Sequence, residues 1–344
     1  GFQPPGPPAV CRFARYPSLA SCKALISGET SVASKGIMAH HATAGTFLGI
    51  SGTLWFLLFT LAAVSALVWS LSRKWQLVAA GRRGVSFDRW GERIRGLIVF
   101  AVGQKRMFQE PLAGVMHALI FWGFLVFSVR SLSLVLEGLT KGWELPLLQT
   151  PVGLAYLLTK DLFIVVVLAG IAIAAWRRVV TRPARLELSA DAWVILGLIG
   201  ALMITDALAD GARIAGGAPG QWAWTPVSSL VGGWLAGSAE STLHAAYSVA
   251  WWVHVAALYF FANYLPYSKH FHVYTSLPNV LLRPLDAPGR LVPMDLENIE
   301  EGSTFGAQKI TDLNWKQLLD LYTCTECGRC TVVCPTTITH KPLI

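Results

Sequence analysis

Five apolar runs, at approximately 47–71, 111–136, 152–176, 190–209 and 243–268, each approach the length needed to cross a bilayer. About 30 Å of hydrocarbon takes roughly 20 helical residues, and a helix satisfies its own backbone hydrogen bonds where no water reaches. Composition agrees with this reading. Of 344 residues, 53% are hydrophobic and 14% charged, whereas soluble domains carry about 25% charged residues. The expected fold is all-α and transmembrane, a five-helix bundle, with a more polar, soluble segment after residue 275.

A net charge of +8 could suit a nucleic-acid binder, but its distribution excludes that partner in favour of a membrane. Nine of the 28 basic residues lie between Arg73 and Arg106, and Arg177, Arg178, Arg182 and Arg185 follow the third run. The positive-inside rule places those two loops in the cytoplasm. The loops around 137–151 and 210–240, and the N-terminus, then face outward. An odd number of spans returns the C-terminus to the cytoplasm, where four of the six cysteines would stay reduced.

Residues 1–44 read as a disordered or non-native extension: the chain starts at Gly1, is rich in Pro and Ser, and Met38 looks like a more natural start. Cys11 and Cys22 are given no role. The stretch Phe87–Ile94 alternates apolar and charged residues, which suits either a short helix on an anionic leaflet or a solvated loop. Trp222, Trp224 and Trp234 suit an interfacial aromatic belt. Pro278, Pro284 and Pro288 mark a linker over 277–310. A short helix from about 312 to 322, capped by Thr311 or Asp312, then leads to the cysteines.

Cys324, Cys327, Cys330 and Cys334, followed by Pro335, have the C-x2-C-x2-C-x3-C-P spacing of bacterial 4Fe–4S sites. A tight loop eased by Gly328 would bring three thiolates to three corners of a cubane, while the fourth cysteine starts a segment leading away. Zinc sites instead favour two separated C-x2-C pairs. In two-cluster ferredoxins the fourth cysteine of each run serves the other cluster. The expectation is therefore a ferredoxin-like domain cut short at 311–344, whose full-length form carries a second cluster and a catalytic part.

Histidines at membrane depth are functional candidates. His117 lies early in the second run, and His254 and His272 lie eighteen residues apart, five whole turns of one helix if Pro266 does not kink it. By depth, His117 pairs best with His272, and two facing imidazoles could hold haem b. His117 could instead be a hydrogen-bonded packing residue. His254 would need a partner where the second run offers Phe127 and Ser128. His270 reads as a surface residue, and His40, His41 and His340 as solvated. Arg130, Lys160, Asp161 and Asp206 are the remaining charges at membrane depth. If they converge, Arg130 and Asp161 could contact haem propionates or a quinone; otherwise they snorkel to the interface.

The segment Leu265–Pro278, with His254 before it and His117 in the second run, resembles the haem b subunit of respiratory nitrate reductase. Cys324 to Pro335 with Lys341-Pro342-Leu343 resembles the start of a heterodisulfide-reductase-type iron–sulfur domain. Together they resemble the fused membrane iron–sulfur oxidoreductases that include bacterial electron-transfer-flavoprotein:menaquinone oxidoreductases. The resemblance implies a cytochrome b domain over 45–276, with His117 and His272 as inner haem ligands and His254 as one outer ligand. Phe127 stands where the other outer ligand would be. It further implies a multi-pass protein of the bacterial plasma membrane that moves electrons between cytoplasmic 4Fe–4S clusters, haem b and menaquinone or ubiquinone. Electron-transfer flavoprotein or another soluble donor would be its partner. A heterodisulfide or sulfur-compound reductase, and a non-catalytic cytochrome subunit, are the competing readings.

Overall fold

The computed structural model describes residues 41–84, 86–140, 150–184, 186, 188–218, 222–286 and 306–341. Most of the expected N-terminal extension and the middle of the expected linker lie outside that set.

A two-residue hairpin, β1 (Thr46–Phe47) against β2 (Ile50–Ser51), precedes α1 (Gly52–Ala79). The short α2 (Trp90–Gly96) continues as a wider π-type turn over Leu97–Val102. Then come α3 (Pro111–Leu139), α4 (Pro151–Trp176), α5 (Ala190–Ala215), α6 (Pro226–Leu235) and α7 (Glu240–Tyr264). Beyond α7 lie α8 (His272–Leu281), α9 (Trp315–Thr323), α10 (Arg329–Val333) and α11 (Pro335–Ile338). Five of these helices, α1, α3, α4, α5 and α7, are long and apolar enough to cross a membrane. Leu57, Phe59, Val68, Leu132, Val165, Ile204 and Phe260 are exposed along them, which suits a lipid solvent.

Their boundaries follow from capping. Ser51 accepts from Leu54 N at the start of α1, and Thr150 accepts from Gly153 N at the start of α4. Pro111, Pro151 and Pro226 each open a helix where the missing N–H is harmless. The interior is aromatic where α1, α3, α5 and α7 meet: Phe56, Leu134, Ala212, Tyr247, Trp251 and Tyr259 pack together. Phe127, Ile164, Val167, Met203 and Ala207 join α3, α4 and α5.

The helix carrying His254 does not run on to His272. α7 ends at Tyr264, Pro266 sits in a 3-10 turn, Ser268 is extended, and a second 3-10 turn leads to His272, the first residue of α8. Pro266 forces the break, because its ring removes a donor and clashes with the preceding turn. Pro278 is not a linker residue but lies inside α8, which carries the bundle past residue 276. Within Phe87–Ile94 the helix begins at Trp90. There Arg93 is buried, donating to the carbonyls of Ser86, Asp88, Leu281 and Arg283. Neither Thr311 nor Asp312 caps the helix before the cysteines. Asn314 does, in a reciprocal box with Gln317, while Asp312 closes a separate 3-10 turn.

That helix, α9, is seated on one end of the bundle, here called the cysteine end. Leu318 and Leu319 pack on Val78, Lys316 reaches Asn279, and the backbones of Arg82 and Leu313 to Trp315 exchange hydrogen bonds.

Candidate functional site

His117 lies in the second turn of α3, and the chain before α3 folds back beneath it. Gly114 makes that possible: a Cβ there would meet Met107 O at 2.6 Å. The returning loop holds Gln104 at φ +50 with 3% of its surface exposed. A non-glycine residue in that region is strained, and such strain gathers at functional sites. Gln104 Oε1 lies 3.0 Å from His117 Nδ1. The amide oxygen accepts, so the ring proton is on Nδ1 and Nε2 keeps its lone pair.

His272 is brought to the same place by the turns after α7. The two imidazole centroids are 6.3 Å apart, with planes at 35°. His272 Nδ1 donates to Lys269 O at 3.4 Å, a long bond that again leaves Nε2 for a ligand. Two imidazoles held at about 2 Å on opposite sides of one metal have centroids about 6 Å apart. The pair therefore fits haem iron in spacing, in tautomer and in the hydrogen bonds behind each ring. Burial pushes the His272 imidazole below the ordinary histidine range. Burial also drives His270 down to about 4, with His272 beside it as the next cause. Both rings are thus neutral near pH 7, the form that binds a metal. His270 is part-buried, 5.9 Å from His272 in ring centroids, rather than a surface residue.

His254 lies in the far half of the bundle and is 2% exposed. Thr205 Oγ1 donates to Ala201 O at 2.6 Å, so its oxygen accepts from His254 Nδ1 at 3.0 Å. Nε2 is again the open nitrogen. Phe127 is packed among Ile164, Val167, Met203 and Ala207.

In that far half the charges converge. Arg130 donates to Asp206 at 3.0 Å and to Glu137 at 2.8 Å. Lys160, wholly buried, donates to Asp206 at 2.6 Å and to Asp210 at 2.7 Å. Ser133 adds a hydroxyl to Glu137. Asp161, also wholly buried, faces elsewhere and accepts from Val227 N, Ser228 N and Ser228 Oγ. It caps the first turn of α6, whose N–H groups need an acceptor inside the bundle. At the same end a cavity of about 720 Å³ lies between the hairpin, α1 and α7, lined by Phe47, Trp55, Leu58, Phe59 and Trp252.

The cysteines follow α9. Gly328, at φ +70, turns the chain into α10, a left-handed conformation that a side chain would strain. Cys324, Cys327 and Cys330 are exposed and Cys334 is part-buried. The hydrogen bond with Thr336, 2.9 Å away, holds the Cys334 thiol below its usual range and favours the ligating thiolate. Four thiols at this spacing have the donor chemistry of an iron–sulfur cluster. Among the described residues, no three metal-ligating side chains converge on one ion.

Sequence reasoning missed Gln104, Glu137, Asp210 and α6. Asp210 lies one turn after Asp206 and so shares its face, a signal that was present. Gln104 carries none, since its role depends on a loop closing back on α3.

Residues 315–336 match the 4Fe-4S binding domain family. The chain is 31% identical over 294 residues to a probable iron-sulfur-binding oxidoreductase, FadF, of Bacillus subtilis, covering 86% of this chain and 41% of that protein. It is 33% identical over 269 residues to an EtfAB:quinone oxidoreductase of Syntrophomonas wolfei, covering 74% and 36%. The chain thus spans about two fifths of the length of these relatives. No solved structure matches it. Residues 315–336 are thus a 4Fe–4S binding segment, and the two relatives are themselves named oxidoreductases.

Proposed function

We propose that this chain is the membrane electron-transfer part of a quinone-linked iron–sulfur oxidoreductase, passing electrons between 4Fe–4S clusters, haem b and the quinone pool. The observation that carries the reading is the His117–His272 pair, 6.3 Å between centroids with both Nδ1 atoms engaged behind the rings. His117 and His272 would hold one haem b, which supplies a one-electron store between a soluble donor and a lipid-soluble acceptor. Gln104 and the Lys269 carbonyl orient the rings and fix the proton on Nδ1. Phe121, stacked on His117 at 6.4 Å, helps keep water from the site.

Cys324, Cys327 and Cys330 would bind one cluster. Cys334 would serve a second, completed elsewhere in the full-length protein, or close the first. The name of the Syntrophomonas relative supports electron-transfer flavoprotein as donor and a quinone as acceptor. Quinone reduction takes two electrons and two protons, and the far half offers both a polar and an apolar surface for it. The apolar cavity beside Trp55 and Trp252 suits a ring and prenyl tail. The cluster of Arg130, Lys160, Asp206 and Asp210 supplies ionisable groups in the same half of the bundle, beyond its part in packing. Asp161 contributes by holding α6 in place. The basic residues in the loops after α1 and α4 support a cysteine end on the cytoplasmic side of a bacterial plasma membrane.

An optical and EPR redox titration of membranes containing the full-length protein tests this. The b-type α-band should be lost in His117→Ala and in His272→Ala, and kept in His254→Ala, whose Nδ1 is bonded to Thr205. Full haem content in both of the first two variants would overturn the assignment.

A further inference from the structure

The cysteine segment touches the surroundings of both inner histidines. On the His272 side, Tyr322, two residues before Cys324, packs edge-on against Phe271, with centroids 5.7 Å apart and planes at 89°. Lys74 Nζ lies over both rings, at 5.2 and 5.3 Å. On the His117 side the connection runs through Arg329. Arg329, between the second and third cysteines, donates from Nη1 to Arg106 O at 3.3 Å and lies 3.7 Å from Met107 Sδ. Its Nε stands 3.5 Å from Glu110 Oε1. These partners belong to the loop that holds Gln104 against His117, so one short loop grips the ring on one side and the cysteine motif on the other.

We infer that Arg329 is a positioning residue that seats the cluster-binding loop on the loop Gly103–Glu110, fixing its separation and orientation relative to the His117–His272 pair. The inference rests on the reading of that pair as haem ligands. An exposed ion pair alone would hold little, but here one planar guanidinium addresses a carbonyl, a thioether and a carboxylate of one loop, a geometry that an ammonium would not reproduce. α9, already seated on Val78 and Asn279, brings the motif within reach. The step served is the transfer of one electron, lost by the reduced cluster and gained by ferric haem iron, with no bond made or broken.

The test is a charge swap in the full-length protein with both centres loaded: Arg329→Glu, Glu110→Arg and the double variant. Haem content, cluster iron, the enhancement of cluster EPR relaxation by the haem, and the rate of haem reduction by the pre-reduced cluster are measured. Each single variant should keep the α-band, weaken the magnetic interaction and slow reduction. The double variant should recover only the ion-pair share of both losses, since the bonds of Arg329 to Arg106 O and Met107 Sδ stay lost. Should Arg329→Glu lose its cluster, Glu110→Arg decides, because it leaves the cysteine motif untouched. An intact α-band with unaltered coupling and rate in Glu110→Arg overturns the inference alone. A wild-type protein without an α-band overturns the haem reading and the inference together.

Discussion

In the far half of the bundle, Asp206 and Asp210 meet Lys160, Glu137 meets Arg130 and Ser133, and Asp161 meets two backbone N–H groups and a hydroxyl. At the cysteine end two imidazoles face one another, each supported from behind and each with a nitrogen left over. Both regions bury polar groups at the level of apolar helices, where an unsatisfied group is destabilising. The carboxylates and cations complete one another, so their presence is explained by packing α3, α4, α5 and α6 together. The imidazoles do not, and that incompleteness marks a ligand site. His254 shows how local the distinction is: it lies close to the paired charges, with Nδ1 on Thr205 and Nε2 left open.

The sharpest way to break this contrast is to remove one partner from each region. Lys160→Met removes the ammonium that both Asp206 and Asp210 bind, and stranding a buried charge typically costs about 3–5 kcal/mol. Its thermal midpoint in detergent should fall well below that of the wild type, and its yield in membranes with it. His117→Ala, compared in haem-free protein, should shift the midpoint far less. Equal losses would mean that the imidazoles are packing residues after all.

What the sequence revealed follows the range of the physics involved. The five crossings are properties of contiguous runs, and each expected run overlaps one helix: 111–136 became Pro111–Leu139, and 190–209 became Ala190–Ala215. The cysteine spacing is local too, and the 4Fe-4S family match covers it. The pairing of His117 with His272 was legible from depth, although through the wrong geometry, since the helix assumed continuous breaks at Pro266. The short α6 went unseen because a ten-residue helix inside a bundle exists only if something caps it. That cap, Asp161, is distant in sequence. Charge at membrane depth was visible in Arg130, Lys160 and Asp206, but whether charges meet is a tertiary fact.

A smaller effect sharpens the cysteine-end half of the comparison. Gln104→Leu keeps the loop's size but removes the acceptor behind His117 Nδ1. Losing such an outer-shell partner typically weakens metal binding by about 10- to 100-fold. Haem titration of the apoprotein should show that loss, with Gln104→Glu restoring most of it. Retention unchanged in Gln104→Leu would mean that the hydrogen bond is incidental to ring orientation.

The smallest effect is expected where a carboxylate of the same kind meets water. Asp312 accepts from Lys309 N at 2.8 Å and Gln308 N at 3.0 Å and pairs with the exposed Arg82, and these backbone bonds first, then the guanidinium, hold its carboxyl below the usual range. A depressed carboxylate adds stability that is complete above its unfolded value, about 3.9, and is lost as pH falls through the lower folded value. Docking of residues 306–323 on α1 should therefore be flat from neutral pH down to about pH 5 and weaken below about pH 4. Amide exchange across that segment would show it, and Asp312→Asn should remove most of the slope. The Arg82 share should fade with added salt, since Coulomb attraction between exposed charges is screened. The buried Lys160–Asp206 pair should barely respond to the same salt, because water and ions do not reach it. Equal salt sensitivity at the two places would show that the far half is wet, and that its charges are solvated rather than completed by one another.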